Sequence, residues 1–121
     1  MERITESEQV ILQILWETGP LTAVSVSEIV RRERDWSLST VKTLLGRLVA
    51  KNAVVSKEDG RRFFYSAETS REEVAATQTR RLIDGLFGGR TAPLVAHLAR
   101  RNALTHEDIR EIKALLNELE S

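Results

Sequence analysis

Between Trp36 and Ser66 the apolar residues change their period. Val41, Leu44, Leu45 and Leu48 follow the i, i+3, i+4, i+7 spacing of one helix face, capped by Ser37 and running to about Lys51. Beyond it, Ala53 to Lys57 and Arg62 to Ser66 move toward a two-residue period, with Val54, Val55, Phe63 and Tyr65 as the apolar members and Asp59-Gly60 as a tight-turn signal.

The upstream sequence supplies two. TESEQVILQILWETGP opens with a Thr5 to Glu8 capping box, carries Val10, Ile11, Ile14 and Leu15, and is stopped by Gly19-Pro20. Leu21 to Ala23 reads as an extended connector, and a second helix starts at Val24 or Ser25 with Val26, Ile29 and Val30 as its buried stripe. Helix, helix, helix, hairpin is the order of a winged helix-turn-helix. From Ser70 the character changes. A second capping box, Ser70 to Glu73, opens a helix with Val74, Leu82, Ile83, Leu86 and Phe87 that runs to Gly88-Gly89. Pro93 starts a short helix, Leu94 to about Arg101, and a last helix capped near Thr105 carries Ile109, Ile112, Leu115, Leu116 and Leu119. The expectation is a mainly α chain with one small antiparallel hairpin: a winged helix-turn-helix domain over 1–68 and a helical dimerisation domain over 69–121.

Composition narrows the chemistry. The 121 residues are 41% hydrophobic and 30% charged, with no apolar run near the roughly 18 to 20 residues of a membrane span. The N-terminus MERITESEQ lacks the basic-then-apolar order of a signal peptide, so a cytoplasmic protein without membrane insertion is expected. With zero cysteines, disulfides, thiolate metal sites and Cys nucleophiles are excluded. There is no Gly-rich phosphate loop and no His beside a Ser/Asp pair, so an enzyme is not expected, and no cofactor is implied. His97 and His106 stand apart from one another and read as surface or capping residues, not metal ligands. Net charge is zero, yet from Arg31 to Arg62 nine Lys or Arg face four acids.

Within that basic stretch the third helix is unusual. Opposite its apolar stripe a helical wheel places Ser39, Thr43, Gly46 and Ala50, flanked by Lys42 and Arg47. Glycine inside a helix costs about 1 kcal/mol relative to alanine, so a property other than helix stability favours a small residue at Gly46. A helix of about 10 to 12 Å diameter fits the major groove of B-DNA, and a slim polar strip lets its axis sink while longer cations reach phosphates or guanine edges. The DNA-binding candidates on this helix are therefore Ser37, Ser39, Thr40, Lys42, Thr43, Arg47 and Lys51. Arg47 or Lys42 is assigned to bases and the hydroxyls to phosphates. Lys57, Arg61 and Arg62, at the wing, are assigned to the sugar-phosphate backbone. Trp16 and Trp36 read as core residues.

ITESEQVILQILWETGPLTAVSVSEIV, WSLSTVKTLLGRLVAKNAV and GRRFFYS together resemble the penicillinase repressor family of bacterial transcriptional regulators, and the resemblance continues more loosely into the C-terminal helices. It implies a homodimer whose winged domains bind the two halves of a palindromic DNA operator and block transcription, with the C-terminal helices as the dimer interface. The residues mapped to that interface are Leu82, Leu86, Leu94, Leu98, Ile109, Ile112, Leu116 and Leu119. Independently, the last helix carries more apolar surface than a short C-terminal segment buries alone, and two copies would cover it. In one branch of the family a membrane sensor protease cuts an Asn-Phe bond ahead of the last helix. The aligned place here is His97-Leu98, the possible proteolytic induction site. A copper-responsive branch carries paired cysteines, which this chain lacks. Two other readings of the residues stay open: a winged helix used for protein contacts, and a ligand-responsive winged-helix regulator of another family.

Overall fold

The structure, a computed structural model, describes residues 2–121. Among them the order is α1 Glu6–Thr18, α2 Ala23–Val30, α3 Leu38–Ala50, β1 Val54–Asp59, β2 Arg62–Ala67, α4 Arg71–Leu86, α5 Thr91–Arg100 and α6 His106–Glu120. The chain is mainly helical with one antiparallel hairpin, and its first five elements form a winged helix-turn-helix.

Local signals set most boundaries. At α1 the Thr5 hydroxyl accepts from the Glu8 N–H at 3.2 Å while the Glu8 carboxylate accepts from the Thr5 N–H at 2.9 Å, closing the capping box. Gly19, at φ +82°, ends the helix with its N–H on the Leu15 carbonyl. The second helix begins at Ala23, earlier than expected, because the capping hydroxyl is that of Thr22, which accepts from the Ser25 N–H at 3.1 Å. Ser37 caps α3.

Residues 1–78 form one compact unit. Its core joins Ile4 to Ile11, Leu12, Ile14 and Leu15 of α1, Val26 and Val30 of α2, and Val41, Leu44, Leu45 and Leu48 of α3, with Ala53, Val54 and Val74. Leu12 is fully buried and Val10 only half-buried, so the inward stripe of α1 is rotated from the expected one. Fully burying such side chains stabilises by about 1.5–3 kcal/mol each, and that burial supplies most of the fold's drive. Both tryptophans pack against this core, and the Trp16 indole N–H donates to the Thr69 carbonyl at 2.8 Å.

In the hairpin Val54 pairs with Ala67 and Asp59 with Arg62, leaving Gly60 and Arg61 as the turn, with Gly60 at φ +67°. The strands run one to two residues further than expected. Leu21 and Tyr65 exchange backbone hydrogen bonds at 3.0 and 2.7 Å, tying the hairpin to the connector before α2.

The boundary expected at residue 68 differs from the observed division, which falls between Gln78 and Thr79 inside α4. The Ser70 hydroxyl does accept from the Glu73 N–H at 3.0 Å and starts the helix, but the first turns of α4 belong to the winged core. Val74 is buried there, and Gln78 donates to the Ile4 carbonyl at 3.2 Å.

Residues 79–121 form the second unit. Gly88 and Gly89 take positive φ and end α4, with the Gly89 N–H on the Ile83 carbonyl. The Phe87 and His97 rings lie 5.8 Å apart. Thr105 and Asp108 form a reciprocal capping box at α6. Ile83 alone is buried among the described residues of this unit, and α6 has no buried residue. No described helix is long and apolar enough to cross a membrane.

Candidate nucleic-acid interface

The strip on α3 is open. Ser39, Thr40, Lys42, Thr43, Gly46, Arg47 and Ala50 are all exposed, while Val41, Leu44, Leu45 and Leu48 are buried beneath them. A Cβ built on Gly46 would meet no atom within 4 Å, so the fold itself does not require glycine there. The small residue faces outward, and no described residue packs on it.

Hydrogen bonding sorts the hydroxyls. Ser37 accepts from the Thr40 N–H and lies 3.1 Å from the Thr40 hydroxyl, so both belong partly to the helix cap. Thr43 donates its hydroxyl proton to the Ser39 carbonyl at 3.0 Å, which leaves its methyl and an acceptor facing out. A phosphate oxygen needs a donor, so the side chain of Thr43 is poorly placed for the phosphate role expected of it. Ser39 keeps a hydroxyl that no other described group engages.

The cations divide too. Lys42, Arg47, Arg61 and Arg62 are exposed and enter no ion pair among the described residues. Lys42 of α3, Arg61 of the turn and Arg62 at the start of β2 line one groove of about 680 Å3, together with Phe63, Tyr65 and α2 residues that include the acidic Glu28. The expected neighbourhood of wing and third helix is therefore present. Lys57 is exposed but pairs across the ribbon with Phe64 and shares its face, the one opposite Phe63 and Tyr65, so it is not brought to the groove.

Lys51 departs most from its expected role. Its ammonium is 2.5 Å from the Glu8 carboxylate and donates to the Arg3 carbonyl at 2.7 Å, with the Lys51 side chain only 17% exposed. It holds the end of α3 to the start of α1, so its charge is already matched inside the protein. Burial acts to raise the Glu8 carboxyl, but the hydrogen bonds from Lys51 and Thr5 and the Lys51 charge outweigh it and hold the group below its ordinary value.

Phe63, 52% exposed beside two arginines, was expected only as a strand residue. Its place directly after the turn, in GRRFF, is the signal that marks it as surface. His97 and Leu98 lie inside α5, with His97 exposed and Leu98 half-buried. Among the mapped dimer residues Leu82, Leu86, Ile109, Leu116 and Leu119 are exposed, and Leu94, Leu98 and Ile112 are partly covered.

A family model described as penicillinase repressor matches residues 4–118. The chain belongs to the penicillinase repressor family. That is a family of repressors, not of enzymes. The chain is similar to the "Uncharacterized 16.5 kDa protein in ptsI 3'region" of Latilactobacillus sakei, 34% identical over 113 residues that cover 93% of this chain and 77% of that protein. It is also similar to the methicillin resistance regulatory protein MecI of Mammaliicoccus sciuri, at 25% identity over 94% of this chain and 93% of MecI. Among solved structures, the Bacillus licheniformis BlaI monomeric form in complex with the blaP half-operator aligns with a TM-score of 0.53 and 24% identity, covering 60% of this chain and 88% of that one. That likeness shows the winged-helix fold of this repressor.

Proposed function

We propose that this family member is a homodimeric, sequence-specific DNA-binding repressor that reads a palindromic operator with α3 in the major groove and the wing on the backbone. The observation that carries the reading is the exposed strip of Ser39, Thr43 and Gly46, between Lys42 and Arg47, two cations that form no ion pair among the described residues. Such a strip lets a helix axis approach base edges, and a groove shared by Lys42, Arg61 and Arg62 suits a phosphate backbone. The BlaI structure, with its half-operator, is a relative of the same fold bound to DNA. Leu115, Leu116 and Leu119, at 58%, 53% and 82% exposure on one helix, support a second copy as the cover of α6.

The test is titration of a duplex taken from directly upstream of the repressor's own gene, over a range of salt. Each phosphate neutralised steepens the log-log slope by about 0.9, so contacts from four cations per subunit give a steep dependence. A shallow slope with weak duplex affinity would favour a protein-docking role. Release by a membrane sensor protease cutting at His97-Leu98 would require α5 to open first, because both residues are held in helical conformation.

A further inference from the structure

We infer that Glu8 is a positioning residue for the DNA-reading helix, acting through Lys51 to fix the angle at which α3 lies on the domain. The inference rests on the proposed role of α3. Ser37 caps the front of α3 and the apolar stripe to Leu48 holds its buried face, and the helix end is tied in addition through Lys51, the cap residue, one helical turn beyond Arg47. There the Lys51 ammonium is shared between the Glu8 carboxylate and the Arg3 carbonyl. Thr5 donates its N–H to the same Glu8 oxygen, and Gln78 donates to the Ile4 carbonyl. Residues 3 to 5 are thus gripped from α3 and from α4 at once.

Stability alone is a poor reason for this arrangement. Glu8 is fully buried, and among the described residues its Oε2 has no hydrogen-bond partner, so the carboxylate is desolvated and only one of its oxygens is engaged by them. Replacing a buried ion pair by packed apolar residues is commonly neutral or stabilising, whereas removing one partner is costly. What the pair supplies and an apolar contact does not is direction: two acceptors at fixed places accept one ammonium in one geometry. Arg47 lies one turn ahead of Lys51, so a tilt of the rear of α3 moves the cation that is best placed to reach a base.

The experiment uses the full chain and measures affinity for operator and for an unrelated duplex by fluorescence anisotropy across a salt range, below the onset of unfolding by circular dichroism. Wild-type preference for the operator tests the reading of α3, and the variants test the positioning role. Glu8→Met combined with Lys51→Met removes the pair without leaving a lone buried charge, which keeps the fold measurable. The operator-to-unrelated ratio should drop by about tenfold, the discrimination of roughly one bidentate base contact, with the salt slope unchanged. Lys51→Arg, which can still bridge Glu8 and the Arg3 carbonyl, should retain most of the ratio. An unaltered ratio in the double variant would reduce the pair to a purely structural contact and overturn the inference. A salt slope lowered by about one in the double variant would overturn it by making Lys51 a phosphate contact.

Discussion

Gly46 offers a perturbation whose effects on the fold and on the ligand have opposite signs. It lies within α3 at an exposed position, outside the positive-φ glycines, and an added Cβ meets nothing within 4 Å. Gly46→Ala therefore gains the full helix-propensity difference, about 1 kcal/mol, with no steric cost to subtract. For a chain of this size that raises the thermal midpoint by about 4 °C. Glutamine is also a good helix former and is larger, so Gly46→Gln should keep most of that gain. On operator DNA the order reverses. If the strip seats against base edges, alanine should weaken binding severalfold and glutamine by more than about tenfold, which is about 1.4 kcal/mol. Thermal unfolding by circular dichroism and anisotropy titration on one preparation give both numbers. Two stabilised variants with undiminished operator affinity would show that α3 does not enter the groove by this face. Destabilised variants would mean that the strip is covered by its own chain.

Arg47→Ala should weaken operator binding by about 1 to 3 kcal/mol and relax sequence preference, whereas Arg61→Ala should weaken all duplexes evenly and lower the salt slope by about one; the same titrations separate the two. Leu116→Asp, on the exposed apolar face of α6, should place an unpaired charge in the dimer seam and release monomers, and sedimentation showing an intact dimer would reject that seam. The Ser27 hydroxyl is buried without a partner among the described residues, so Ser27→Ala should stabilise by about 1 kcal/mol in denaturant unfolding. Because Glu8 is held below its ordinary 4.5 in the folded protein, its contribution is in place above that pH and is lost as pH falls through the lowered value. Glu8→Gln should flatten that part of the acid-stability curve.

The helices and the hairpin were legible because their signals are local. A capping hydroxyl three residues ahead of its acceptor, a stripe at helical spacing and a turn glycine all lie within a few positions of what they specify. The fate of the polar groups was not, and Lys51 shows why. In the sequence it is one of nine cations in a basic run, indistinguishable from Lys42. In the fold its partner is Glu8, 43 residues upstream, and no local pattern joins them. The extent of the first compact unit was hidden for a related reason. Ser70 marks where a helix begins, but membership of a unit depends on where Val74 and Gln78 find their contacts, and those lie at Ile4 and the winged core.

The same distinction separates the cations that remain as candidates. A positive charge already matched by a buried carboxylate has lost its water and found its counterion, so moving it to a phosphate would leave Glu8 alone in the core, a cost of several kcal/mol. Lys42, Arg47, Arg61 and Arg62 carry no such debt: each is exposed, and none forms an ion pair among the described residues. Net charge near zero therefore does not argue against a polyanionic partner. Three of these four cations line one groove, where Glu28 of α2 is the single acid among the lining residues, so the local balance there is positive.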